Sequence, residues 1–228
     1  MEDRIKAIYI GPDVDDVVGR LHWSENNFKE ENHGEISRKT LLRNAITVEA
    51  FLKHETRRML GDSYALRIRG SLHKYFTNGD RNHDRFSIAD IPTAIEDLCA
   101  ELGIDAEHLH IENNEIGVNL FHPAMDILDN VISYKGQMFN SEYNGGMRTT
   151  KSGNNYLKFF GKGSLCGLPY ERLRLELKQM RNAELRRHGI STLEDLKDKD
   201  KLDSLAFDLI EMWSHVILDE PSIRMDES

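Results

Sequence analysis

The chain is short of cysteine and of long apolar runs, and each shortage removes a class of protein. Only Cys99 and Cys166 occur among 228 residues, too few for a disulfide framework and without the C-x-x-C spacing of a thiolate metal site. Cys99 falls at an apolar helical position, which predicts a buried thiol, and Cys166 lies in a Gly-rich turn. No stretch approaches the roughly eighteen apolar residues of a membrane span. Glu2 and Asp3 stand where a secretory leader carries basic residues. These shortages predict a cytoplasmic protein with no membrane partner. A repeat of solenoid length and a low-complexity tract are both missing as well.

Positive charge is also in deficit, with 30 Lys and Arg against 39 Asp and Glu, a net of −9. That balance argues at first against a nucleic-acid partner, because affinity for phosphate backbones comes largely from cations. The total hides a pattern. Residues 1–35 carry −5, 36–90 carry +5, 91–146 carry −9, 147–188 carry +7 and 189–228 carry −7. Two basic blocks therefore lie between acidic ones. If the blocks meet in space, an acidic protein presents a basic surface that steers a polyanion such as DNA; otherwise this is ordinary segregation of surface charge.

Several strands can be read from alternation. Residues 5 to 11, I-K-A-I-Y-I-G, predict an opening strand that ends at Gly11-Pro12, followed by a polar, acidic loop to about Glu35. Residues 64 to 69, Y-A-L-R-I-R, put Leu66 and Ile68 inward and Arg67 and Arg69 outward. From Ser87 to Leu102, Ile88, Ile91, Ile95, Leu98 and Leu102 recur at helical spacing, with Pro92 in the first turn and Gly103 at the exit. Alternation resumes at Glu115, with Ile116, Val118 and Leu120 on one face and Glu115, Gly117 and Asn119 on the other. Seven of the sixteen glycines fall between Gly136 and Gly167, which predicts hairpins and loops around a short strand at 156 to 160. In R-L-R-L-E-L-K at 172 to 178, Leu173, Leu175 and Leu177 face a core and Arg172, Arg174, Glu176 and Lys178 lie opposite. Past Arg181 the pattern is helical. Ser191-x-x-Glu194 has the form of a capping box, Leu202, Leu205, Leu209, Met212, Trp213 and Val216 form a stripe, and the residues from Pro221 read as frayed.

Glu115 and Glu176 are the candidate pair for chemistry, each on the polar face of a strand. Paired carboxylates suit a hard divalent cation, which takes oxygen ligands and keeps waters for substrate phosphate to replace. The alternative is two structural ion pairs with neighbouring arginines. His108-Leu109-His110 has the His-hydrophobic-His form of one class of DNA-nicking enzymes, but the Tyr-x-x-Lys that accompanies it is missing, and a solvated strand edge explains it as well. Lys158 and Lys162, beside Gly161 and Gly163, could neutralise phosphate while the backbone approaches it. G-S-L-H-K at 70 to 74 offers a similar arrangement, or only a tight turn. Neither is a G-x-x-x-x-G-K phosphate loop.

Four stretches, in this order, resemble the gene II/X family of filamentous-phage and plasmid replication initiators, which nick DNA to start rolling-circle replication. They are I-R-G-S-L-H-K-Y-F at 68 to 76 with Asn82, E-N-N-E-I-G-V-N-L at 112 to 120, Y-L-K-F-F-G-K-G at 156 to 163, and L-R-L-E-L-K at 173 to 178 with L-x-x-x-G-I-x-T-L-x-D-L from Leu185 to Leu196. The resemblance implies acidic metal ligands at Glu115 and Glu176, a divalent metal (Mg2+ or Mn2+), and a tyrosine that attacks a DNA phosphodiester. Tyrosine is a poor nucleophile at its free pKa of about 10, so metal and lysine must favour its anion. The family's strand is of the L-K-I-Y-x-K-G type; here Phe160 stands at the tyrosine's place. Tyr156 lies on the same face of the strand, about 13 Å away. It is the replacement candidate, with stacking on the sheet or on a base as its alternative role.

The expected fold is α+β: an antiparallel sheet of the strands near 5, 66, 116, 158 and 175, covered on one face by helices. Residues 1–200 are read as the initiator-like domain, and 201–228 as a C-terminal helix and tail belonging to a truncated second part. DNA contacts are expected from Arg67, Arg69, Lys74, Lys158 and Arg174, catalysis from Tyr156 and Lys162, and metal binding from Glu115 and Glu176. The partners implied are single-stranded or origin DNA and host replication proteins. A degenerate initiator that binds DNA without nicking it is the alternative, because Phe160 has no oxygen with which to form the covalent intermediate.

Overall fold

A computed structural model describes residues 2–12, 14–22, 29–31, 35–53, 63–78, 86–163, 167 and 171–219. Asn82, Cys166 and the residues from Pro221 onward lie outside the described residues. In chain order the elements are β1 (Glu2–Tyr9), α1 (Val14–Arg20), β2 (Lys29–Glu31), β3 (Glu35–Leu42), β4 (Ile46–Lys53), β5 (Ser63–Gly70), α2 (Leu72–Thr77), α3 (Ile91–Leu102) and β6 (Leu109–Leu120). There follow α4 (Ala124–Leu128), β7 (Val131–Tyr134), β8 (Gln137–Met138), β9 (Asn140–Glu142), β10 (Met147–Ser152), β11 (Asn155–Gly161), β12 (Leu173–Gln179), α5 (Asn182–Arg186), α6 (Lys199–Ser214) and β13 (Val216–Leu218). The class is α+β with antiparallel strand pairing, as the alternation predicts.

The chain forms two units, Met1–Ile116 with Gln179–Ala206, and Gly117–Lys178 with Phe207–Ser228. In the first, strands follow the order β2-β3-β4-β5-β1-β6. Register places Val48 and Ala7 on either side of Ile68, and Ala50 and Tyr9 on either side of Leu66. All six are buried. One face of these strands is therefore continuous apolar core, and α3 adds Ile91, Ala94, Ile95, Leu98 and Leu102 to the buried set. Ser87 and Asp90 close a capping box ahead of α3, and Gly103, at φ 64, ends it in the left-handed conformation glycine adopts without penalty.

Three elements of this unit depart from the sequence expectation. The stretch after Pro12 is not wholly loop. Helix α1 forms there because Asp15 and Asp16 complement the helix dipole at its start, Arg20 complements it at its end, and Val17 and Val18 are buried. Residues 71–77 are more than a turn, since the Ser71 side chain accepts a hydrogen bond from Lys74 N at 3.1 Å and starts α2. The hairpin of β3 and β4 turns on Arg43 and Asn44, both at positive φ, with Ala45 N donating to Leu42 O.

The second unit contains the last four residues of β6, in a strand order β6-β12-β11-β10-β9, and a small sheet β13-β7-β8. Leu157 and Phe159 of β11 and Leu173, Leu175 and Leu177 of β12 are buried. The Phe159 ring lies 5.1 Å from Phe139 and 5.8 Å from Trp213, which ties α6 to β11. No described helix is long and apolar enough to cross a membrane.

Candidate nucleic-acid interface

In the second unit, three stretches distant in sequence meet through their polar side chains. Alternation along β11 buries Leu157 and Phe159 and leaves Tyr156, Lys158 and Phe160 half-buried on the opposite face. Lys158 Nζ is ion-paired with Glu176 Oε2. Arg174 Nε donates to Glu176 Oε1 at 3.0 Å, and Arg174 Nη1 donates to Asn119 Oδ1 at 3.2 Å. Gly117 completes the arrangement: a Cβ there would stand 2.7 Å from the Arg174 guanidinium and 2.8 Å from the Leu175 carbonyl. The absence of a side chain lets Arg174 lie flat on the neighbouring strand.

The strand 173–179 is thus not half-buried. Arg174 is 2 % and Glu176 3 % exposed, so both of its faces are covered. The alternation correctly separates leucines from charges, but it carries no information about Asn119 and Lys158, which close over the charged face. Lys162 is 2 % exposed, with its backbone N donating to Arg172 O at 2.8 Å. A phosphate reaching its ammonium must first displace the residues that cover it. Arg172 is 8 % exposed, and its guanidinium lies 4.7 Å from the centre of the Phe121 ring. Strand alternation puts Asn119 on the polar face but gives it no role, and it does not reach Phe121, which follows the strand.

Surroundings of this kind do not fit a divalent cation at Glu176. Both carboxylate oxygens already meet a cation, Lys158 at one and Arg174 at the other. The structural ion pair weighed for this residue is therefore what its surroundings form.

The remaining sequence candidates belong to the first unit. Arg67 lies in a ladder of charges: Lys39 to Glu49 at 2.9 Å, Glu49 to Arg67 at 3.7 Å, Arg67 to Glu112 at 3.9 Å and Lys6 to Glu112 at 2.7 Å. Its guanidinium also covers the Phe51 ring at 4.7 Å. Arg69 is exposed, and Lys74 is half-buried on α2. Glu115 is 3 % exposed and pairs in register with Arg4. His110 is exposed on β6, whereas His108 belongs to a 3-10 turn before it and meets the Tyr9 ring edge-on at 6.0 Å. Asp105, Glu107 and His108 offer ligand atoms within 4.8 Å of one another, all on the surface or half-buried. Cys99 is buried as expected, and burial pushes its thiol up to about 11.

Neither a protein-family model nor a curated protein matches this sequence. Among solved structures, the chain is similar to the rolling circle replication initiator protein from Geobacillus stearothermophilus, at 13 % identity and a TM-score of 0.45, over 99 % of this chain and 89 % of that one.

Proposed function

We propose that this chain is a DNA-binding protein of the replication-initiator type that holds single-stranded or origin DNA without nicking it. The observation that supports the reading is the convergence of Asn119, Lys158, Arg174 and Glu176, drawn from three of the four motif stretches, on one cationic cluster of the second unit. Two features count against strand transfer. Phe160 offers no nucleophilic oxygen, and Glu176 is neutralised by Arg174 and Lys158.

Nicking is the second reading, favoured by Tyr156 sharing the polar face of β11 with Lys158. It assigns Tyr156 as nucleophile, Lys162 to the phosphate, and Glu115 and Glu176 to Mg2+ or Mn2+. One experiment separates the two: labelled single-stranded and stem-loop DNA incubated with the protein and Mn2+, resolved on native and on denaturing gels. The expected outcome is a salt-sensitive complex on the native gel with no covalent adduct on the denaturing one. An adduct that disappears in Tyr156→Phe would replace this reading with the second. No complex in any form of DNA would remove both.

A further inference from the structure

The His-Leu-His triplet of the sequence is divided by the fold. His110 is exposed on β6, whereas His108 closes a single 3-10 turn, Ala106–His108, that Asp105 precedes. The turn brings ligand atoms of Asp105, Glu107 and His108 within 4.8 Å of one another, and His110 is not among them. Glu107 Oε1 lies 3.6 Å from His108 Nε2, and neither Asp105 nor Glu107 is paired with a Lys or Arg among the described residues. Both carboxylates line a cavity of about 700 Å3 in the first unit, between the end of α3 and the turn at 194–197. The cation of that cavity, Lys197, is already taken by Glu194 at 2.8 Å and Glu96 at 3.9 Å. Cys99 lines the same cavity at 9 % exposure, and its sulfur has no hydrogen-bond partner among the described residues. Its backbone O accepts from Ile104 N at 3.0 Å, which sets the last turn of α3 against the residue before Asp105.

Two carboxylates and an imidazole that no Lys or Arg opposes attract a divalent ion, and a thiol beside them decides which kind. Mg2+ and Ca2+ take oxygen ligands. A mixed set of oxygen, nitrogen and sulfur donors suits Zn2+ and its neighbours in the first transition row. Zn2+ takes four donors at about 2.0–2.3 Å, which stand about 3.4 Å apart around it. The spacing of Glu107 and His108 already matches. We propose that Asp105, Glu107 and His108, with the Cys99 thiolate as fourth donor, bind one Zn2+-class ion. The thiol proton leaves to solvent as the ion binds, because a coordinating thiol is deprotonated outright. With all four positions filled by protein, the site is closed, so the ion joins the end of α3 to the start of β6 and activates no water. It belongs to the first unit and is independent of the DNA-binding reading.

The test titrates Co2+, a coloured stand-in for Zn2+, into metal-free protein that carries no histidine tag and follows the absorption. The expected outcome is one Co2+ per chain with a sulfur-to-cobalt charge-transfer band, both lost when Zn2+ is added. Asp105→Asn and His108→Ala should each weaken binding by more than about 10-fold, the least that even an outer-shell partner is typically worth. Cys99→Ser should remove the charge-transfer band, and His110→Ala should bind as the parent does. Asp105 and His108 are exposed and half-buried, so their variants keep the site testable if Cys99→Ser does not fold. Saturating Zn2+ should raise the Tm of the parent and not that of His108→Ala. A parent that binds no Co2+ would overturn the site, as would binding without the sulfur band or a band that persists in Cys99→Ser. Equal losses in His108→Ala and His110→Ala would overturn it too, by placing the ion on the two histidines of the triplet.

Discussion

At the scale of the residue, Glu176 is the carboxylate with which both Arg174 and Lys158 pair. Burying an ion pair contributes little net stability against an apolar replacement, but removing one partner strands the other in a poorly solvating place. Arg174, at 2 % exposure, cannot recover its lost hydrogen bond from water, and Lys158 can do so only in part. Glu176→Gln should therefore cost about 3–5 kcal/mol, read from urea unfolding. The double change Glu176→Gln with Lys158→Met should cost less than the sum of the two single changes, because the variants remove one shared interaction. A loss in Glu176→Gln below about 1 kcal/mol, the size of an exposed pair, would show that the carboxylate is not holding the buried Arg174 and the half-buried Lys158. The residue types and their side of the strand were legible in the R-L-R-L-E-L-K pattern. What was not legible is that a partner 55 positions away in sequence covers that side.

At the scale of the element, legibility followed period. Strands β11 and β12 have uninterrupted patterns and were readable to within a residue, whereas the helical pattern read from Ser87 starts four residues before α3 and takes in the 3-10 turn Ile88–Asp90. Strand β6 shows how a break in pattern can itself be informative. Its apolar residues sit at odd positions, Leu109 and Ile111, and then at even ones, Ile116 and Val118, a change of parity that a regular strand cannot make. The register against β1 shifts between Lys6 and Ala7, inserting Glu112 as a bulge. Beyond it the expected alternation is not seen in burial, because Asn114 to Gly117 are all buried and Leu120, expected inward, is 38 % exposed. The hairpin β3–β4 was readable in principle from Ile46, Val48 and Ala50, all buried, around a left-handed Arg43-Asn44 turn, a sequence that lacks the glycine of the commonest hairpin signal.

The capping pattern before α6 was legible in kind and displaced by one residue. Asp195, not Glu194, caps the turn, accepting from the backbone N of Ser191 at 2.8 Å and of Thr192 at 3.0 Å and pairing with Lys201 at 2.6 Å. Glu194 pairs instead with Lys197. Partial burial raises the Asp195 pKa, but Lys201 and the two backbone donors outweigh it and hold the carboxyl down at about 2. A carboxylate whose folded pKa lies below its unfolded value of about 3.9 contributes stability that is complete above that value and is lost as pH falls through the folded one. Asp195→Asn should thus be less stable than the parent by about 1–2 kcal/mol near neutrality, after allowing for solvent screening. The gap should narrow from about pH 4 and close near pH 2, as followed by urea unfolding across that range. A gap that does not change with pH would mean that the cap acts through its hydrogen bonds alone and not through its charge.

At the scale of the whole molecule, the charge sum and the charge pattern give opposite expectations for DNA, and salt dependence decides between them. A chain of net −9 repels a polyanion at long range, so any affinity must come from close contact with phosphates inside a Debye length of about 10 Å at ordinary salt. Within the second unit, Arg148, Lys151, Lys158 and Lys178 are the cations of the 147–188 block that keep exposure, whereas Lys162, Arg172 and Arg174 are buried. If three or four phosphates are neutralised there, the logarithm of the binding constant for single-stranded DNA should fall against the logarithm of salt with a slope of about −2 to −3. Lys151→Gln, an exposed change remote from the Glu176 cluster in its hydrogen bonding, should make that slope shallower by about 0.7 and leave unfolding by urea unchanged. A slope near zero in the parent would place the affinity outside phosphate contact altogether, and the basic block at 147–188 would then be surface charge with no DNA to serve.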